Sequence, residues 1–236
     1  MTTIVSAFMA DANSYRSSND YVELGKHLLE VRMPKVIFLE KKSIEMFDTL
    51  CGDEMTIVVE FEKDDLLFEC NDSVTLPNHR NLEKDTKDYL QVICNKTNWL
   101  NIAAGMNPFE SAQFVWIDFG IFHIFQSDVE RFQGSFDTVN NYSSDKIRIP
   151  SIWNLENDTA IDEFNRPLWF FAGGVVGGSS SALQQFHSLF LSEIQDLLEK
   201  NMITWEVNIW YLIWKKHPDL FDPYFGSHDT SILEGY

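Results

Sequence analysis

The sequence predicts an α/β fold, one domain over residues 1–236 with a mostly parallel central sheet flanked by helices. Three observations carry that expectation. Short β-rich runs alternate with segments of helical period, the pattern of strands joined by crossover helices. A chain of 236 residues buries one substantial core and is too short for two ordinary domains with a linker. Its 44% hydrophobic and 23% charged residues are a globular rather than a disordered composition.

The elements follow in order. Residues 3–8 read as a first strand, and 21–31 as a helix with Leu24, Leu28 and Leu29 on one face. Residues 36–39 read as a second strand after Pro34; Ser43 then suits the cap of a short helix carrying Ile44, Phe47 and Leu50, and 56–60 form a third strand. The irregular stretch 62–80 reads as a surface excursion. Residues 86–104 read as one helix with Tyr89, Leu90, Ile93, Leu100 and Ala104 inward, closed by Gly105 and the Asn107-Pro108 turn. A short apolar strand, 114–117, ends abruptly at Asp118. The polar stretch 126–165 suggests a partly ordered flap. Residues 168–176 read as a glycine-crowded strand, followed by helices over 180–200 and 205–215, the second stopped by Pro218.

Composition also narrows function. A net charge of −18 with no Lys/Arg cluster disfavours nucleic acid and anionic lipid. A diphosphate substrate would need a divalent cation and a few placed cationic side chains. Cys51, Cys70 and Cys94 form no Cys-x-x-Cys and suggest neither a disulfide framework nor a zinc site. The opening MTTIVSAFMADAN lacks the basic flank of a signal peptide, and no run approaches the ~20 apolar residues of a membrane span. The expectation is a cytoplasmic protein without stable membrane insertion, in which the Asn-x-Ser/Thr triplets at Asn71, Asn95, Asn141 and Asn157 are chance matches. Nineteen Phe, seven Trp and seven Tyr exceed what a sugar site could use, so most must be core.

The segment QFVWIDFGIFHIF, 113–125, is the most informative for chemistry. An acid at the carboxyl end of a buried parallel strand lies where open α/β sheets bind ligands, which nominates Asp118; the alternative is an Asp capping the next turn. His123 reads as a packing or surface residue. AGGVVGG, 172–178, lacks the Gly-Lys-Ser/Thr ending of a phosphate loop, so its glycines suggest either close backbone approach to a sugar or a tight bend at a sheet edge. Glu206 opens the last long helix beside Trp205 and Trp210. Burial there would raise its pKa toward that of a general base, whereas the helix N-terminus favours its anion; a capping Glu is the other reading.

The run WIDFGI, preceded by NKTNWLNIAAGMNPF (95–109) and followed by WFFAGGVVGG (169–178) and HPDLFDPYFG (217–226), resembles the HtrL/YibB-like family of presumed glycosyltransferases. The opening IVSAFMA is similar to that family's first strand, and the likeness is weakest over 62–80 and 126–165. More distantly the layout is similar to the GT-A, Rossmann-like glycosyltransferases, the glycogenin-like enzymes among them. Those carry an Asp-x-Asp that holds Mn²⁺ or Mg²⁺ against the donor diphosphate; here Gly120 stands in place of the second acid.

The resemblance implies a metal site of Asp118 completed by His228, with Asp229 a neighbouring possibility and a surface His the alternative. It implies donor contacts from Phe8 in the loop 8–13, from Arg16 and from Lys96, and a donor-sugar wall at Ala172 and Gly173; an exposed helix Lys is the other reading of Lys96. It implies Glu206 as the acceptor base, although Trp205 and Val207 depart from the family's acidic and amide neighbours. Residues 1–125 would bind the nucleotide sugar, and 126–236 the acceptor and donor sugar. The expected activity is metal-assisted transfer of a sugar from a nucleotide diphosphate sugar to a hydroxyl of a glycan or glycolipid acceptor. The alternative is a noncatalytic glycan- or protein-binding module on the same fold. A metal phosphohydrolase is disfavoured, since no carboxylate cluster for two metals is visible.

Overall fold

Every residue of the central strand β4 (Gln113–Ile117) is buried, and the rest of the sheet is laid out around it. In the computed structural model, residues 1–12, 15–47, 53–70, 73–156, 162 and 164–236 are described. Asn13, Leu50, Cys51, Asn71 and Asn157, named above, lie outside the described residues. With β1 (Thr2–Phe8), β2 (Lys35–Glu40), β3 (Thr56–Phe61), β5 (Ile147–Ser151), β6 (Val175–Ser179) and β7 (Phe221–Phe225), the seven-stranded sheet has the order β3-β2-β1-β4-β6-β5-β7. Strands β3, β2, β1 and β4 are parallel, β6 runs against β4 and β5, and β5 pairs parallel with β7. The predicted α/β class and mostly parallel sheet are therefore what the chain forms.

Alternation along the strands builds two cores, because successive side chains face opposite sides of a sheet. Val5, Phe38, Phe114 and Trp116 pack against Leu100 of α3 (Lys96–Met106), Phe186 and Phe190 of α5 (Ser180–Glu199) and Trp210 of α6 (Glu206–Lys216). Ile4, Ile37, Val115 and Ile117 face the other way, onto Leu28 of α1 (Ser18–Leu29) and Phe132 and Val139 of α4 (Val129–Asn141). Ser17, Asp128 and Ser179 cap α1, α4 and α5 through side-chain oxygens.

Several expectations are corrected. Residues 86–104 are two helices, α2 (Lys87–Ile93) and α3, because Asn95 turns its side chain to the backbone: Nδ2 donates to Gln91 O, and Oδ1 accepts from Leu67 N–H. Asn107, at φ 37°, is the left-handed cap of α3, while Gly105 stays within the helix. Ser43 caps nothing: it is buried inside a 3-10 helix, Lys41–Phe47. The polar flap contains α4 and the interior strand β5, held by Phe132, Phe136, Val139, Ile147 and Ile149, a sparse apolar set among Asn, Asp and Ser. The glycine-crowded strand starts at Val175, not at 168. The C-terminal stretch supplies edge strand β7 and a last turn, α7 (Ser231–Glu234), neither of which the sequence pattern predicts.

Candidate functional site

The site is built on the break between α2 and α3 and on the abrupt end of β4. Asp118 follows β4 directly, and its N–H donates to Gly174 O at 2.9 Å, which ties the end of β4 to the segment entering β6. Trp116 Nε1 donates to Asp118 Oδ1 at 2.7 Å, and the Trp116 ring is stacked on Trp99 of α3 at 5.7 Å. The break brings Lys96 into the first turn of α3 with its side chain inward. Its Nζ lies 2.9 Å from Asp118 Oδ1, 2.8 Å from Glu206 Oε1 and 2.8 Å from Gly173 O. An ammonium has three N–H donors, so protein oxygens take all of them.

Burial separates the members of this trio. The side chains of Lys96 and Glu206 are 5% and 6% exposed, whereas that of Asp118 is 41% exposed. Burial alone would lower the Lys96 pKa, but the charges of Asp118 and Glu206 and its hydrogen bonds to both hold it above that of free lysine. Lys96 is a fixed cation at neutral pH. The Tyr89 phenol is driven well up by burial and by the charges of Glu206 and Asp118, so it stays neutral beside them.

Two cavities meet at this cluster. One, of about 350 Å³, is lined by Phe8, Arg16, Tyr21, Lys84, Lys96 and Asp118. The other, of about 460 Å³, has Lys84, Lys96 and Asp118 in common with it and adds Ala172, Gly173, Glu206 and His228. A shallower groove of about 730 Å³ adjoins the first through Ala12 and Arg16 and contains none of the trio. All eight residues nominated from the sequence therefore line one composite pocket. His228 stands edge-on to Trp169 at 4.4 Å; burial and then Lys84 lower its pKa against the opposing pull of Asp229, which favours the neutral imidazole.

The geometry changes three readings. Lys96 is no exposed helix lysine, yet it has no free N–H for a phosphate, so it holds Asp118 and Glu206 in place. Glu206 does not cap α6: the N-cap is Trp205, without a side-chain cap bond, and the Glu206 carboxylate accepts from Lys96. Gly173 does permit close approach, but of a protein group, since a Cβ there would run into Glu206 Oε1. Lys84, which carries no local motif, and Trp169, which opens the run WFFAGGVVGG with no role expected of it, also line the pocket through tertiary packing.

Asp118 and His228 offer one oxygen-type and one imidazole donor, and among the described residues no group of three His, Cys, Asp or Glu side chains forms a metal cage. One protein carboxylate is a usual anchor for a Mg²⁺ ion that keeps several waters and shares a substrate phosphate, and imidazole is the softer donor of the two.

The sheet is open and mostly parallel, and the accessible acid at the end of its central strand lies at the carboxyl edge, where open α/β sheets bind ligands. The chain belongs to the HtrL_YibB family, described as bacterial protein of unknown function, whose model matches residues 13–229. The comparison with curated proteins finds no match. Among solved structures the chain is similar to mouse xyloside xylosyltransferase 1 in its apo form, at 14% identity and a TM-score of 0.49 over 95% of this chain and 85% of that one. It is also similar to 4-diphosphocytidyl-2C-methyl-D-erythritol synthase of Anaerococcus prevotii DSM 20548, at 8% identity and a TM-score of 0.47 over 96% and 86%. Both TM-scores lie below 0.5, and neither likeness bears on the reading of the site.

Proposed function

We propose that the chain is a glycosyltransferase that takes a nucleotide diphosphate sugar as donor and a hydroxyl of a glycan or glycolipid as acceptor. The observation that carries this reading is the pair of cavities meeting at Asp118 and Lys96. In it the nucleoside lies in the first cavity, against Phe8 and Tyr21, and the sugar in the second, against Ala172 and Gly173, so the diphosphate crosses the seam. Residues 1–125 line the first cavity and more than half of the second, and 126–236 bring Ala172, Gly173, Glu206 and His228 to the second.

Asp118 and His228 are the side chains that would hold a Mg²⁺ or Mn²⁺ ion arriving with the donor. Such an ion supplies positive charge against the departing diphosphate. Within the chain, Lys96 fixes the Asp118 carboxylate at the seam, and against the opposing effect of burial the charges of Asp118 and then Glu206 hold the Lys96 pKa up. Asp118, the accessible acid, is the group positioned to face the ligand, while Glu206 is better suited to positioning than to taking the acceptor proton from its 6%-exposed place.

Gly120, where a second acid would stand, favours a second reading: a module that binds the donor or a glycan without transfer. The test is incubation of the purified chain with UDP-, GDP- and dTDP-sugars and Mn²⁺ in the presence of candidate acceptors. Acceptor-dependent release of nucleoside diphosphate, lost in Asp118→Asn, supports transfer. Binding without release supports the module, and neither result in any combination overturns both readings.

A further inference from the structure

Two cations of the first cavity, of which Lys84 also reaches the second, lack a carboxylate partner among the described residues. Elsewhere Lys63 pairs with Asp88 at 2.7 Å, Arg131 with Glu234 at 2.5 Å, Arg148 with Asp222 at 3.1 Å and Lys216 with Glu193 at 2.5 Å. Arg32, Lys146, Arg166 and Lys200 have no ion pair among the described residues but stand exposed in water, and Lys35 and Arg80, also without one, donate to backbone carbonyls. Arg16 and Lys84 differ. Each is half-buried, neither has a carboxylate within ion-pair distance among the described residues, and both line the cavity that holds Asp118. The Arg16 guanidinium lies over the Tyr21 ring at 5.2 Å, and the Lys84 ammonium over the Tyr89 ring at 5.5 Å. A ring face is a weak partner for a cation compared with a charged oxygen.

Lys96 is already committed within the chain. Its three donors are spent on Asp118, Glu206 and Gly173 O, so the most buried cation of the pocket has nothing left to donate. An anionic ligand at the seam must be met by other groups. Gly120 leaves the space for one of them: a Cβ there would come within 3.5 Å of Arg16 Nη1 and 3.0 Å of the Tyr21 ring.

We propose that Lys84 and Arg16 form a two-sided clamp for the phosphates of a nucleoside diphosphate, Lys84 from the chain that leads into α2 and Arg16 from the chain that leads into α1. This rests on the nucleotide reading of the pocket. Both cations leave their tyrosine rings when phosphate arrives, and the released ring faces remain as apolar walls. Lys84 contributes a point charge that reaches both cavities, and Arg16 a planar fork suited to two oxygens of one phosphate.

The test is calorimetric titration of UDP, GDP and dTDP into the wild-type chain and into Lys84→Gln, Lys84→Arg and Arg16→Gln, with Mg²⁺ present and at two salt concentrations. For whichever nucleotide binds, the Gln variants are expected to weaken it about tenfold or more, because each removes a charge-assisted hydrogen bond. Lys84→Arg should keep most of the affinity, and the Gln variants should show a flatter salt dependence than wild type. The melting temperature of each variant without ligand should stay close to wild type, which separates binding from structure. If a nucleoside diphosphate binds wild type and Lys84→Gln equally well, the clamp is overturned and the nucleotide reading stands. If none of the three binds the wild-type chain, the nucleotide reading falls, and the clamp with it.

Discussion

Replacing Lys96 by Met removes the one counter-charge of a carboxylate that water hardly reaches. The Glu206 side chain is 6% exposed and its Oε1 rests on Lys96 at 2.8 Å, so Lys96→Met leaves an uncompensated charge in the core beside Trp205 and Val207. Breaking a buried pair from one side costs about 3–5 kcal/mol. For a chain of this length that is a fall in Tm of roughly 6–20 °C. Glu206→Gln is milder, since the amide oxygen still accepts from Lys96 and Asp118 still supplies a charge; about 1 kcal/mol is expected. The double variant Lys96→Met/Glu206→Gln leaves no orphaned buried charge, so its cost should fall short of the sum of the singles by about 2 kcal/mol. Urea unfolding followed by tryptophan fluorescence measures all three. A Lys96→Met cost below about 1 kcal/mol, or single costs that simply add, would refute the buried network as described.

Gly173→Ala puts a methyl group where Glu206 Oε1 now lies, and overpacking of that kind costs about 1–3 kcal/mol; an unchanged urea midpoint would contradict the close approach. Burial lowers the pKa of His187, which is hydrogen-bonded to Thr97 Oγ1 at 3.3 Å, and of His228, whose pKa Lys84 lowers further. Both therefore take up protons in the unfolded chain before the folded one, so stability is complete above the free value of 6.5 and declines as pH falls below it. Thermal melts between about pH 5 and pH 7.5 should show that decline, and His187→Gln should flatten it; an identical slope in the variant would assign the effect elsewhere.

The parallel half of the sheet, β1 to β4, was legible because its strands obey simple rules. Residues of β1, β2 and β4 are buried on both faces and read as apolar runs, and Asp118 is the first residue past the last of them. The α4 to β5 region was hidden because few apolar positions, Phe132, Phe136 and Val139 among them, do the packing within a polar stretch. The break before Lys96 depends on the side chain of Asn95 reaching Gln91 O and Leu67 N–H, contacts that helical periodicity does not encode. The same limit explains the site. Sequence nominated Asp118, Lys96, Glu206 and Gly173 separately, but that one ammonium engages all three other residues follows only from the crossing of α3, β4, the segment before β6 and the start of α6. Lys84 was silent in sequence because its meaning lies in the absence of an acid beside it in three dimensions.

Whether the pocket at Asp118 takes a nucleoside diphosphate is read from the melting temperature of the wild-type chain and of Asp118→Asn with UDP, GDP and dTDP, each with Mn²⁺ and with EDTA. Ligand that binds only the folded state stabilises it by about 2.7 kcal/mol at a hundred times its Kd, here roughly 5–11 °C. On the nucleotide reading, at least one nucleotide raises the wild-type Tm by several degrees with Mn²⁺, EDTA removes most of the gain, and Asp118→Asn, folded as before, shows little of it. A wild-type Tm indifferent to all three nucleotides at millimolar concentration, with and without Mn²⁺, would contradict it.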